Sequence, residues 1–302
     1  MTTTNPAKYS LNSNAFVTMF GDEVTHLSQQ KSSKLQGSIR IVRGVQGHSY
    51  NFPVLGKSGV IKNKGATTDL EPMSGMSNTD NVNGTWQGTA NADLMAHTNV
   101  TATLNTYSTG EYIDDFDALK TNIDLRSAYA DSISAAMNRA YDSEIISALD
   151  DAKTNQQLAA EITDGALDKA NVIALSKALT ENDVPLTDRY LVVSPSALNS
   201  MMSDANIVSS QFGVISNQAL TDGFIPNLLG FNVIVSNLLT TVDTDNRQCF
   251  AFHKDAVGCA VGKDITTMVN YVPHKLSTLI AAEFSAGCKV IDPSGVASIS
   301  AA

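Results

Sequence analysis

The 302-residue chain is poor in the residues from which reactive sites are built. Three cysteines, Cys249, Cys259 and Cys288, are an odd number without C-x-x-C spacing. They fit small buried side chains in a reducing compartment better than a disulfide framework or a thiolate zinc site. His26, His48, His97, His253 and His274 are scattered, with no two at metal-ligand spacing. No P-loop and no G-x-G-x-x-G is present, so a nucleotide-binding sheet is not expected. Ser28-Gln29-Gln30-Lys31 has the S-x-x-K form of penicillin-recognising enzymes, but the companion S-D-N and K-T-G strings are missing. Gly56-Lys57-Ser58-Gly59 lacks the form of a nucleophile elbow. Asp243-Thr244-Asp245-Asn246 opens like a calcium loop without its glycine or closing glutamate, and reads as a surface turn. No catalytic, cofactor-binding or metal site is expected.

Long apolar runs are also missing. No stretch of about 18 apolar residues occurs, so no membrane span is expected. Met1 to Pro6 is polar and has none of the apolar core of a secretory signal, which places synthesis in the cytoplasm. Basic charge is scarce: 20 Lys and Arg against 30 Asp and Glu give a net charge of -10, without the basic footprint of a sequence-specific nucleic-acid binder. The basic residues are unevenly placed. Through residue 70, Lys8, Lys31, Lys34, Arg40, Arg43, Lys57, Lys62 and Lys64 meet only Asp22, Glu23 and Asp69. A basic arm on an acidic body suits head-to-tail association of identical chains. A chance fluctuation, or a basic tail touching nucleic acid, would give the same count.

What is present is an ordered series of unlike segments. Residues 1 to about 38 are polar, with apolar patches at Phe16, Val17, Met19 and Phe20 and at Val24 and Leu27, and read as an arm that packs on something else. Ile39 to Arg43, Ser49 to Val54 and Val100 to Asn105 read as strands. Residues 55–97 are dense in Gly, Asn, Thr and Ser. A segment that long without structure of its own is unusual inside a domain, and it reads as a projecting hairpin packed on another subunit. Trp86, the only tryptophan, would anchor that contact or else pack locally.

A helical stripe then runs through Phe116, Leu119, Ile123, Ala130, Ile133, Met137, Tyr141, Ile145 and Leu149, with Glu111, Asp114 and Asp115 at its start. It predicts a helix over 113–151, far longer than the usual globular one. A coiled coil is the competing reading, although the stripe drifts from a strict heptad. From about 164 the elements alternate. A helix over 166–182 carries Ile173, Leu175, Ala178 and Leu179 inward, and Arg189 to Val193 is a buried strand. Ser194-Pro195 opens a short helix. Strands are expected at 230–235 and 248–252, a short helix at 253–261, and closing strands at 266–272, 276–284 and 289–291. The fold class is α+β, with no repeat and no linker.

Taken in order, these segments resemble the major capsid proteins of tailed double-stranded DNA phages. That family has the Johnson-type capsid fold, shared with encapsulin shells and herpesvirus capsid floors. Two strings carry the likeness most closely: Val184-Pro185 through Arg189-Tyr190-Leu191-Val192-Val193-Ser194-Pro195-Ser196-Ala197-Leu198, and Gly223-Phe224-Ile225 through Leu229-Gly230-Phe231-Asn232-Val233-Ile234-Val235-Ser236-Asn237. The resemblance covers the chain from about residue 12 to its end. It implies an N-terminal arm (1–43), an extended β-hairpin loop (44–108), a peripheral domain with a spine helix (109–164), an axial domain (165–262) and a return to the peripheral sheet (263–302). It also implies a structural protein of the virion capsid, assembled in the host cytoplasm into pentamers and hexamers of an icosahedral shell.

Implied partners are further copies of the chain, a separate scaffolding protein, a portal, decoration proteins, and packaged DNA contacted without sequence preference. Lys31, Lys34, Arg40, Arg43, Lys57, Lys62, Lys64 and Trp86 are the candidate intersubunit contacts. An encapsulin-like compartment would share the fold but hold a cargo enzyme. An α+β enzyme would require a pocket of perturbed titratable groups.

Overall fold

The computed structural model describes residues 27–55, 97–114, 116, 125–155, 158–162, 165–203, 225–242 and 246–301. Two sheets and one long helix organise them. The first sheet has the order β1-β10-β11-β4, built from Arg40–Arg43 (β1), Val257–Val272 (β10), Ser277–Val290 (β11) and Asn105–Asp114 (β4). The second has the order β5-β12-β9-β6-β8-β7, from Ala160–Ile162 (β5), Val296–Ala301 (β12), Arg247–His253 (β9), Arg189–Val193 (β6), Phe231–Val235 (β8) and Asn227–Leu228 (β7). Ser49–Leu55 (β2) and His97–Thr103 (β3) form a separate antiparallel ribbon.

The long helix α1 spans Leu125–Asn155, 31 residues, or about 46 Å at a rise of about 1.5 Å per residue. Ile133, Met137, Tyr141, Ile145, Leu149 and Ala152 recur every three or four positions and are buried. This stripe lies on β11 of its own chain, with Phe284 between Tyr107, at 4.8 Å between ring centroids, and Tyr141, at 5.9 Å. The apolar face is therefore covered by a sheet, and the coiled-coil alternative falls away. The expected start of the helix at 113 is also corrected. Tyr112, Ile113 and Asp114 are strand residues of β4, paired with Leu279, Thr278 and Ser277. Glu111 and Asp114 thus sit on a strand, and Asp114, its last residue, accepts from the helical Phe116 amide on Oδ1 at 2.8 Å. Phe116, expected in the stripe, is 65% exposed, while Leu119 and Ile123 lie outside the described residues.

A 3-10 turn at Lys254–Ala256 stands where a helix over 253–261 was expected, and β10 begins at Val257. Alternation explains the difference. Gly258, Ala260 and Gly262 project to one face and Val257, Cys259 and Val261 to the other, a period of two that alanine content disguises. The expected strands at 266–272, 276–284 and 289–291 fall on β10 and β11, apart from Leu276, which is in the turn at φ 50°, and Ile291, just past the end of β11. Strand β12 was not expected at all, although all six of its residues are buried.

Helix α2, Lys169–Glu181, starts at the Asp168 cap, whose side chain accepts from the Asn171 amide at 2.8 Å. Val172, Leu175, Ala178 and Leu179 face inward, whereas Ile173 is 46% exposed, a rotation of one position from the expected face. Helix α3, Pro195–Ser203, begins as expected, with Ser194 Oγ accepting from the Ala197 amide at 3.0 Å.

Arg189 explains much of the string from Val184 to Val193. Its side chain is buried with no carboxylate partner among the described residues. Nε donates to Pro185 O at 2.8 Å, Nη2 to Val184 O at 2.7 Å, and both terminal nitrogens to Thr180 Oγ1 at 3.2 Å. The guanidinium thus closes the C-terminal end of α2, where the helix dipole favours a cation. Arg189→Met should cost about 2–4 kcal/mol by stranding buried acceptors. Arg189→Lys should recover only part of this, because a single ammonium cannot bridge all three acceptors. Denaturant midpoints of the three proteins, measured side by side, check the order.

Candidate assembly surfaces

The segment over residues 29–39 is held chiefly by one carboxylate. Asp142, on the face of α1 beside the core stripe, is completely buried. Its Oδ1 accepts from Ser33 Oγ at 2.5 Å and the Leu35 amide at 3.3 Å, and its Oδ2 from Gln30 Nε2 at 2.5 Å and the Lys34 amide at 2.9 Å. One turn earlier, Arg139 Nη1 donates to Gln29 Oε1 at 2.9 Å, and Asn138 Nδ2 to Lys31 O at 2.9 Å. Leu35 and Ile39 are then buried in the main core. Residues 29–39, expected to belong to a projecting arm, are therefore fastened to the spine helix and the core. Sequence reasoning missed Asp142 because an isolated acid on a helix looks solvated.

The ribbon β2–β3 stands on a different base. Phe52, Ala102, Leu104 and Ala260 form a small second core, flanked by Val42, Val45, Tyr50, Val100 and Ile291. A Cβ at Gly287 would lie 2.0 Å from Thr103 O, and one at Gly258 would lie 2.8 Å from the Phe52 ring. Glycine is required here by close approach, which fixes the direction in which the ribbon leaves the body.

The expected contact residues do not form one cluster. Lys31 and Lys34 are exposed on the fastened segment, and Lys34 Nζ donates to Val235 O at 2.9 Å. Arg40 and Arg43 stand exposed at opposite ends of β1, and Arg43 Nε is 3.4 Å from Asp264 Oδ1. An ion pair this exposed contributes little to stability. Lys57, Lys62, Lys64 and Trp86 lie outside the described residues.

Two apolar surfaces were not anticipated. Beyond Val261, β10 loses β1 as a neighbour and continues to Val272 paired only with β11. This extension displays Val269 and Tyr271 on one face and Met268 on the other, where Tyr112 of β4 also lies, with Leu276 in the hairpin turn. The second surface flanks α2, where Ile173 and Leu229 line a groove of ≈ 480 Å³ with Lys177 and Glu181. Leu229 and Gly230, at φ 49° and 85°, form the two-residue turn between β7 and β8. A leucine in the left-handed region is strained, and here it is 43% exposed.

A family model described as "Phage capsid protein" matches residues 13–302. The chain belongs to that family. Solved capsids share its fold. The capsid of the cyanophage P-SCSP1u has a TM-score of 0.72 at 18% identity, with 96% of this chain and 94% of that one covered. The structure of Mycobacterium phage Che8 has a TM-score of 0.69 at 21% identity, with 95% and 97% covered. The capsid of a native GTA particle has a TM-score of 0.67 at 14% identity, with 99% of both covered. No curated protein matches the sequence. The chain is thus a structural protein of a virion capsid, a self-assembling α+β shell protein, as the order of its segments implied. Among its described residues, no three His, Cys, Asp or Glu gather as metal ligands, and no helix is long and apolar enough to cross a membrane.

Glu144 is among the polar groups that tie the capsid protein's helix to its sheet. Tyr107 donates to Glu144 Oε2 at 2.5 Å, and Asn105 Nδ2 donates to Oε1 at 3.3 Å. Burial, with the carboxylate adding to it, pushes the Tyr107 hydroxyl from 10.0 up to about 12. The folded state holds this proton more tightly than the unfolded chain does. Its contribution is therefore complete below pH 10 and is lost as pH rises through about 12. Tyr107→Phe should flatten that alkaline loss in urea unfolding measured across the range. The Tyr141 hydroxyl, also raised by burial, accounts for a part that remains.

Proposed function

We propose that this capsid protein closes into an icosahedral shell of pentamers and hexamers around double-stranded DNA. The observation that carries the reading is the Asp142 anchor. It fastens residues 30–35 to the spine helix, which would give an arm reaching a neighbour a fixed origin. In this reading the four-stranded sheet and α1 form the peripheral part, and the six-stranded sheet with α2 and α3 the axial part around the five- or six-fold axis. The ribbon on its Gly287 base is the root of the loop that overlaps a neighbour. The exposed extension of β10 and the groove beside α2 are surfaces between subunits. Lys31, Lys34, Arg40, Arg43, Lys57, Lys62, Lys64 and Trp86 remain the proposed contact residues. A scaffolding protein, a portal and decoration proteins complete the particle, which is assembled in the host cytoplasm. DNA contact is non-specific, consistent with a net charge of -10.

Negative-stain electron microscopy of the full-length protein, expressed alone and with its neighbouring genes, tests this. Closed shells containing DNA are the expected result. A monomer or small oligomer in every condition would overturn it, and shells filled with a cargo protein would point to a compartment instead. Deleting residues 1–26 leaves Leu35, Ile39 and the Asp142 contacts in place. That deletion should give a soluble, folded subunit that forms no closed shells, as sedimentation and microscopy would show.

A further inference from the structure

Two of the three cysteines stand opposite one another. Cys259 on β10 and Cys288 on β11 are register partners in the antiparallel ladder, so their side chains leave the sheet on the same face. Opposed residues in such a ladder have Cα atoms roughly 4.5 or roughly 5.5 Å apart, according to pair type. A disulfide accommodates about 4.4–6.8 Å. Either pair type therefore falls within the Cα span of a disulfide. The Tyr141 hydroxyl donates to Cys259 Sγ at 3.4 Å.

Both cysteines are buried, with Cys288 retaining 8% exposure. Tyr141, the donor to Cys259, also lines a cavity of ≈ 220 Å³ together with Val261 and Phe284. Cys249 lies apart, fully buried on β9 of the other sheet.

We propose that Cys259 and Cys288 are an oxidation site and join as an intrasubunit disulfide when the protein meets a peroxide. The Cys259 thiolate attacks one peroxide oxygen, the O–O bond breaks, and water leaves with a proton from the medium, giving a sulfenic acid. Cys288 sulfur then attacks Cys259 sulfur. The S–S bond forms, the S–O bond breaks, and a second water leaves carrying the Cys288 proton. Two thiols are oxidised and one hydrogen peroxide is reduced to two waters. Hydrogen bonding from Cys288, joined by Tyr141, holds the Cys259 thiol below its ordinary value, which favours it as the attacking sulfur. The same neighbour and burial raise Cys288, which suits it to the resolving role. The bond would tie the two longest strands together beneath the spine helix, at the base of the exposed hairpin.

The test uses the full-length protein in two samples. One is treated folded with hydrogen peroxide, and the other is refolded from denaturant in a glutathione–glutathione disulfide buffer, so that access to the buried pair cannot decide the result. Free thiols are then alkylated and the unreduced digest is read by mass spectrometry. A peptide pair joining Cys259 to Cys288, with Cys249 alkylated, is the expected result. The bridge should disappear in Cys259→Ser and in Cys288→Ser and persist in Cys249→Ser. Three alkylated cysteines in both samples, or a bridge that includes Cys249, would overturn the proposal.

Discussion

Asp142→Ala should give the largest loss of assembly of any single substitution on the spine helix. Four donors converge on this carboxylate at 2.5–3.3 Å, two of them backbone amides, at Lys34 and Leu35. Hydrogen bonds to a charged acceptor are worth about 1.5–3 kcal/mol each, and donors left buried without an acceptor add their desolvation cost. A net loss of about 3–5 kcal/mol is expected, the range found when one side of a buried charged network is removed. Asp142→Asn keeps one acceptor oxygen but turns an amide group toward donors, so it should lose less than alanine and still be clearly destabilised.

Stability alone would not separate anchoring from general damage. Lys31 and Lys34 lie within the fastened segment, however, and give trypsin two sites to report its release. In Asp142→Ala, cleavage there should precede cleavage of the body, and shells should fail to close under conditions where the body is still folded. Unchanged cleavage together with normal shells would remove Asp142 from the assembly argument.

The sequence exposed those parts of the fold whose signal is local. Leu191, Val192 and Val193 on β6 form a fully buried apolar run, and Ser194-Pro195 caps a helix by its own chemistry. The stripe from Ile133 to Leu149 declares the spine helix, and the order of segments declares the family. Signals that depend on partners distant in sequence were hidden. Ile113 is buried in the main core on a strand whose partner, Thr278, lies more than 160 positions later; beside acids that look like a helix start, it reads as helix. Gly258, Ala260 and Gly262 look like a weak helix until β2 and β3 lie across them. Strand β12 draws on small residues, Val296-Ala297-Ser298, that fit a crowded interior but have little apolar weight of their own.

The candidate site shows the same division. Its basic residues were visible as a charge imbalance, which locates an arm but says nothing of where it is fastened. The fastening residue is an acid in the helix, more than 100 positions away from its donors. The exposed extension of β10 was equally obscure, because Met268, Val269 and Tyr271 have the apolar weight of core residues. Only the end of β1 pairing at Val261 reveals that this edge lacks a neighbour within the described residues.

Gly287→Ala should separate the role of the ribbon's base from that of overall stability. A Cβ there would stand 2.0 Å from Thr103 O, 2.7 Å from Thr103 C and 3.2 Å from Leu104 Cα. These are backbone atoms, which no rotamer change can relieve, so the turn joining β3 to β4 must lift off β11. Overpacking of this kind costs typically about 1–3 kcal/mol and more when backbone blocks relief, so about 3 kcal/mol or above is expected. Gly258→Ala meets the ends of the Phe52 and Ile291 side chains, at 2.8 Å and 2.6 Å, and these can rotate, so it should cost less. Gly37→Ala meets nothing within 4 Å and should change stability by less than about 0.5 kcal/mol. If the base aims the loop at a neighbour, the three substitutions should impair shell closure in that same order. Gly287→Ala subunits should remain unassembled even at temperatures where their circular dichroism shows them folded. Shells of normal size from Gly287→Ala would mean that the loop finds its neighbour without guidance from its root.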